Sequence, residues 1–350
     1  MKILVIQQKM IGDVLTSSII CENIKKWNPN TKIDFIANAN TISVLENNPY
    51  IDSIIVFENH YRSNKIAFIN FLRNQRKKKY DIIIDVYGKI ESILTTFWTK
   101  SAIKIGYNKW YTKLIYTNKI NRERSLLKDG VQLSIKNRIK LLYPILGKDF
   151  NYSIKPKLYV SDFEKQKAIS KLSNKSTKYL IMISALGSSI TKTYPLIKMS
   201  KVLDFIVEKF DAELILNYIP NQKKQILKLL SKINSKTSNS IIISDAPNNL
   251  RDFIGLLSQC DAIIGNEGGS INMAKALDIP NFAIYSPQTD LDSWLNPSSK
   301  EVGVHINNYD ITLKNTNLKT LNSNQIISLY NNFHFDLFKN KLFDFINQLR

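Results

Sequence analysis

The sequence predicts an α/β protein of two domains, each built on a parallel sheet with helices on both faces. Three observations carry that expectation. At 350 residues the chain is long enough for two cores of ordinary size. Short apolar runs recur from the very start, at residues 2–7, 32–37, 53–57 and 80–86, with helical or turn-rich stretches between them. A second series begins at 179–183 and continues at 213–217, 241–244 and 262–264. Strands separated by helical segments imply a parallel sheet, and the loops at the carboxyl ends of such strands form its ligand crevice.

Taken in order, the run 2–7 leads through a short loop, 8–13, into a helix from about 14 to 27 that Asn28-Pro29-Asn30 ends. Asp13 lies on that first loop, where a carboxylate serves chemistry or simply caps the helix beside it. Residues 131–146 alternate helically. The surrounding stretch, 109–151, carries Arg122, Arg124, Lys128, Lys136, Arg138 and Lys140. Singly these read as a solvated face; as a group they suggest a basic lip for phosphates. Residues 153–161, with Pro156, read as linker, and a helix opens at Asp162-Phe163-Glu164.

The second series opens with the strand 179–183, which runs into a loop holding Gly187, Ser188, Thr191 and Lys192. Small hydroxyl residues with one lysine suit a diphosphate, since they supply donors without bulk and a cation against its charge. After the helices 222–233 and 250–259 comes a strand, turn, helix, strand unit over 261–287. Its turn is Gly265-Asn266-Glu267-Gly268-Gly269; Ser270 is the expected N-cap, and Ile271, Ala274 and Leu277 recur at helical spacing until Pro280 stops the helix. The turn leaves N–H groups at a helix start that welcome a phosphate, or it needs its glycines for backbone reasons alone. The tail, 328–349, is rich in aromatics, with Phe338, Leu342, Phe345 and Leu349 on one stripe. Such a stripe packs across the other domain or lies on a membrane; packing is the expectation. The expected domains are 1–160, 161–325 and this tail, 326–350.

Bulk composition narrows the classes. Lys and Arg number 49 against 29 Asp and Glu, a net charge of +20, which points to an anionic partner or to a lysine-rich proteome. Two cysteines argue against a disulfide framework and fit a reducing cytoplasm. No export signal or apolar stretch of membrane-spanning length is read. A nucleic-acid-binding protein would explain the charge, but no recognition module is seen and the cations are scattered.

The motifs resemble a known family. Gly265-Asn266-Glu267-Gly268-Gly269-Ser270-Ile271-Asn272-Met273-Ala274-Lys275-Ala276-Leu277, with Ile279-Pro280 and Tyr285-Ser286-Pro287, is similar to the donor-site signature of glycosyltransferase family 9, the lipopolysaccharide heptosyltransferases. Glu267, Gly268 and Asn272 depart from the usual Asp, Thr and His. Ile11-Gly12-Asp13, Asn48-Pro49-Tyr50, Tyr80–Asp85 in its spelling YDIIID, Ile105-Gly106-Tyr107 and Lys192-Thr193-Tyr194-Pro195 match further family segments, with Tyr194 where tryptophan is commoner. The resemblance implies a GT-B architecture of two facing Rossmann-like domains and an inverting transfer from a nucleotide-diphosphate sugar, ADP-heptose being the usual donor. It implies a lipopolysaccharide core or related glycolipid as acceptor. Asp13 is then the base on the acceptor hydroxyl, with Lys9 and Gly12 beside the acceptor, and Lys192 stabilises the departing phosphate. Gly187, Ser188, Thr191, Glu267, Gly268, Gly269, Ser270 and Asn272 are the expected donor contacts. No carboxylate pair has metal-binding spacing, so no essential metal or cofactor is expected. A monomer is expected, in the cytoplasm or at the cytoplasmic face of the anionic inner membrane. Two other readings stand beside this one. A non-catalytic or different-sugar member would share the scaffold, and a Rossmann-type oxidoreductase would need G-x-G-x-x-G where Gln7-Gln8-Lys9-Met10-Ile11-Gly12 stands.

Overall fold

The computed structural model describes all residues except 125–130, 173–176, 244, 314–317 and 350. The chain divides into two compact units: Met1–Tyr159 with Asp292–Trp294, and Val160–Leu291 with Leu295–Arg350.

The first unit is a six-stranded parallel sheet of β1 (Lys2–Ile6), β2 (Lys32–Asn38), β3 (Ser53–Phe57), β4 (Ile82–Asp85), β5 (Ile103–Tyr107) and β6 (Asn118–Ile120), in the order β3-β2-β1-β4-β5-β6. Its helices are α1 (Ile11–Trp27), α2 (Lys65–Lys77), α3 (Ile90–Trp98), α4 (Leu133–Lys140) and α5 (Tyr143–Leu146). The expected single helix over 131–146 is two, because the turn at Leu141 and Leu142 precedes Pro144, which cannot donate into the earlier turn. β1 is apolar without alternation because both of its faces are covered: Ile3, Leu4, Val5 and Ile6 are fully buried.

The second unit repeats the plan. It begins with α6 (Asp162–Lys171), β7 (Tyr179–Ser184), α7 (Leu196–Lys209), β8 (Ala212–Asn217), α8 (Lys223–Leu230), α9 (Ser235–Asn239) and β9 (Ile241–Ile243). It continues with α10 (Leu250–Leu257), β10 (Ala262–Asn266), α11 (Gly269–Ala276), β11 (Asn281–Ile284), β12 (Glu301–Val304), α13 (Ser323–Asn332) and α14 (Lys339–Asn347), while α12 (Leu291–Trp294) falls in the first unit except for Leu291. The sheet order is β12-β11-β10-β7-β8-β9, all parallel, the same order as the first sheet once strands are counted within their own unit. In both units the order reverses at one place, between β1 and β4 and between β7 and β10, and ligand crevices open outside the strand ends there.

The start of α6 shows how local signals set an element. Ser161 accepts from the Glu164 N–H at 3.3 Å, and Glu164 accepts back from the Ser161 N–H at 2.8 Å, a capping box. Arg251 on α10 grips the same carboxylate through two 2.6 Å bonds and draws the Glu164 pKa down to about 2.

The stripe of the aromatic tail, Phe338, Leu342, Phe345 and Leu349, is buried in the core of the second unit, with Tyr179, Phe205 and Phe282. Edge-to-face and tilted ring pairs, Phe282–Phe345 at 5.7 Å and Phe335–Phe338 at 5.4 Å among them, lock the tail to its own sheet.

Candidate functional site

In the first unit, Asp13 is not on a loop. It is the third residue of α1, whose N-cap is Met10, a residue with no side-chain cap bond. Nor does its carboxylate cap the helix. Arg138, from α4, donates Nη2–H to Asp13 Oδ1 at 2.8 Å and to Asp13 O at 3.2 Å. The same guanidinium donates to Ser17 Oγ at 2.8 Å and Ser134 O at 2.7 Å, so a buried cation is satisfied on every side. The arrangement fixes one carboxylate oxygen and leaves the Asp13 side chain 36% exposed at the crevice. Gly12 is buried at the helix start beside it, and Lys9, half-buried, has its carbonyl bound by the Gln7 side-chain amide.

Three cations of the expected basic lip have partners within the first unit. Arg138 turns inward to Asp13, Lys140 pairs with Glu123 at 2.6 Å, and the Arg122 guanidinium lies 3.8 Å from the centre of the Tyr107 ring. Lys128 lies outside the described residues. Asp85, in the YDIIID segment, is fully buried and accepts from the Gly88 N–H at 2.8 Å and the Tyr116 hydroxyl at 2.7 Å. Burial pushes its pKa up; its role is to shape the loop after β4.

In the second unit, the loop after β7 and the turn after β10 meet at the reversal of strand order. Lys192 Nζ stands 3.6 Å from Glu267 Oε1, and Thr289 donates to the same oxygen at 2.6 Å. Ser270 is not the N-cap. Gly268 is, in a backbone region (φ 154°) that favours glycine, and the Ser270 hydroxyl bonds that of Ser184 at 2.9 Å. Thr191 O accepts from Ser286 Oγ at 2.6 Å. Lys192 is thus brought to Glu267, the residue before the Gly268 cap of α11, while Thr191 is tied to Ser286 and Ser270 to Ser184. Ser188 is exposed on the same loop, and Asn272 is half-buried in the first turn of α11. Gly187 must be glycine, since a Cβ there would lie 2.0 Å from Lys192 O.

The contacts of four residues in this region, Asn266, Tyr194, His305 and Thr289, escape a sequence reading. Asn266, fully buried at the end of β10, accepts from the Tyr194 N–H at 2.6 Å and donates to Ser184 O at 3.1 Å and Ala185 O at 2.8 Å. Tyr194 in turn donates its hydroxyl to Phe333 O at 2.8 Å, so it anchors the far end of the Lys192 loop. His305 accepts the Asn307 N–H at Nδ1 (3.2 Å) and donates from Nε2 to Pro287 O (3.2 Å). Burial lowers its pKa, so it is a neutral strut under the Tyr285-Ser286-Pro287 segment. Thr289, on no motif, orients Glu267. Asn266→Ala strands three buried backbone groups and is expected to cost roughly 2–4 kcal/mol in a denaturant titration. A change below 1 kcal/mol, on the order of one ordinary hydrogen bond, would remove the anchoring role.

The sequence profile of glycosyltransferase family 9 (heptosyltransferase) matches residues 68–321. The chain belongs to glycosyltransferase family 9. It is a glycosyltransferase of the lipopolysaccharide heptosyltransferase family. Lipopolysaccharide heptosyltransferase 1 of Campylobacter coli is 23% identical over 292 residues, spanning 81% of this chain and 84% of that one. A family 9 glycosyltransferase of Veillonella parvula superposes with a TM-score of 0.75 at 16% identity, covering 95% of this chain and 96% of its own. An E. coli heptosyltransferase solved with ADP-2-deoxy-2-fluoro heptose superposes with a TM-score of 0.66 at 15% identity, over 87% and 93%. The fold is accordingly the GT-B α/β fold, with a Rossmann-like sheet in each unit.

Proposed function

We propose that this family 9 enzyme moves a heptose or closely related sugar from a nucleotide diphosphate, ADP-heptose being the first choice, to a lipopolysaccharide core or related glycolipid, with inversion at the anomeric carbon. It acts as a monomer in the cytoplasm. The observation that carries the reading is the Lys192–Glu267 pair beside the Gly268 cap that opens α11. A diphosphate there meets a cation and the positive end of a helix.

In this reading the acceptor hydroxyl gives its proton to Asp13 as its oxygen bonds the anomeric carbon. The bond from that carbon to the diphosphate breaks on the opposite face, and the charge left on phosphate is held by Lys192 and the turn amides. Gly187, Ser188 and Thr191 line the diphosphate, Glu267 and Asn272 meet sugar or ribose hydroxyls, and Lys9 and Gly12 border the acceptor. In this reading the lysine supplies the positive charge at the diphosphate, and no metal or cofactor is proposed to take part.

A thermal-shift panel of ADP, UDP, GDP and their sugars tests the donor. At 100 times its dissociation constant the true ligand adds roughly 2.7 kcal/mol of stability, and ADP and its heptose conjugate are expected to give the largest shifts. Silence from every nucleotide rules out the nucleotide-sugar reading. A response to UDP or GDP alone moves it to another donor.

A further inference from the structure

The order of strands in the first sheet reverses between β1 and β4, so the chain segments leaving these two strands flank the crevice that opens there. One of them leads to Asp13. The other, residues 86–89, carries Tyr87 on a frame that is held at several points. The Val86 and Tyr87 N–H groups both donate to Ile6 O, at 3.0 and 3.2 Å, which fixes the start of the segment beside the end of β1. The Gly88 N–H donates to Asp85 Oδ1 at 2.8 Å, while the Tyr116 hydroxyl holds Asp85 Oδ2 at 2.7 Å. Lys109 Nζ donates to Gly88 O at 2.9 Å, and Gly88 takes a left-handed conformation, φ 57°, that suits glycine.

This frame makes no use of the Tyr87 side chain. The residue is half-buried, and its hydroxyl has no hydrogen-bond partner among the described residues. Burial raises its pKa; Glu91 and Asp13 raise it further and Arg62 lowers it, so the hydroxyl lies within the fields of Asp13 and of the Arg62–Glu91 pair. Those charges are already matched. Arg138 holds Asp13, and Arg62 donates to Glu91 and Asn59 at 3.0 Å, to Gln8 at 3.4 Å and to Asn38 at 3.5 Å. What Tyr87 adds beside two matched ion pairs is a flat hydrocarbon face with a free hydroxyl at its edge. A sugar ring packs its C–H face on such a surface and exchanges a hydrogen bond with the hydroxyl. A phosphate or carboxylate calls instead for an unspent cation.

We propose that Tyr87 positions the acceptor: the sugar ring that carries the attacking hydroxyl stacks on the Tyr87 ring, which turns that hydroxyl toward Asp13. The inference rests on the transfer reading and adds the chemistry of the accepting residue, a neutral sugar ring with an open C–H face. Tyr87 moves no proton. Its rigid mounting means that the stacking surface is in place before the acceptor arrives.

Two oligosaccharides from deacylated lipopolysaccharide cores test it, one ending in a neutral sugar and one in a sugar acid. Titration of the protein without donor reads binding apart from turnover, and initial rates with donor read KM and kcat. The parent is expected to bind the neutral-ended chain more tightly. Tyr87→Ala should weaken that binding and raise the acceptor KM by about tenfold or more, with the donor KM and the melting temperature unmoved. Tyr87→Phe keeps the ring and should stay within about threefold of the parent, the loss of one hydrogen bond. Tyr87→Leu, the second variant should alanine disturb the loop, keeps bulk without a flat face and should fall with alanine. The proposal is overturned if alanine and leucine leave acceptor binding unchanged, if Tyr87→Phe falls as far as Tyr87→Ala, if the acid-ended chain is preferred, or if the parent binds neither chain. Failure of the transfer reading shows differently, as silence toward every nucleotide in a protein that still binds the neutral-ended chain through Tyr87.

Discussion

Asp13→Asn is expected to lower kcat by about 100- to 10,000-fold with folding intact, the range that removal of a positioned general base produces. Asparagine is the informative substitution because of Arg138. The buried guanidinium needs an acceptor at the place of Oδ1, and the asparagine amide oxygen keeps one there. Asp13→Ala removes it as well. That variant should lose activity to the same extent and also about 1–3 kcal/mol of stability, because a charged buried donor is left without one of its partners. Steady-state kinetics and a denaturant titration on both variants separate chemistry from scaffolding. If the asparagine variant retains the parent rate, Asp13 is a structural partner of Arg138 and the base lies elsewhere.

Lys192→Met should cost about 100- to 1,000-fold in kcat, with a smaller change in the KM for donor. The charge on the departing diphosphate grows as its bond to the sugar breaks, so a cation contributes more at the transition state than to ground-state binding. In the proposed mechanism the contact with Glu267, 3.6 Å away, is exchanged for phosphate when donor binds. Lys192→Arg keeps the charge with a different reach and should recover part of the loss. Both variants are to be assayed with a chelator present, which is expected to leave the parent rate unaltered. A rate in Lys192→Met close to the parent would transfer the leaving-group role to the turn amides alone.

The strands were legible because they are apolar on both faces, and the two series of runs announced two sheets. What the sequence hid lies in contacts over long separations. Arg138 is 125 residues from Asp13 and belongs to a stretch with no motif, so nothing local tells it from its exposed neighbours. Ser270 has the side chain of an N-cap, but Ser184 claims its hydroxyl from 86 residues away and the turn gives the cap to Gly268. Asp13 reads as a loop residue because Met10 and Gly12 are poor helix openers; packing of α1 against its unit overrides propensity there. α3 drew no reading from the sequence at all. Its periodicity is plain, yet the hydrophobic stripe marks the outside, because short hydroxyl side chains bonded to their own helix are what the sheet receives.

The knot that Asn266 ties between the end of β10 and the chain leaving β7 gives the backbone proposed to face the diphosphate its shape at the time of folding, before any substrate arrives. Conformational freedom is therefore surrendered once, and little is left to lose with each turnover. Such a frame would tolerate new recognition elements: on the proposed donor contacts, changes at Glu267 or Asn272 retune which carbohydrate is accepted while the main-chain cradle stays as it is.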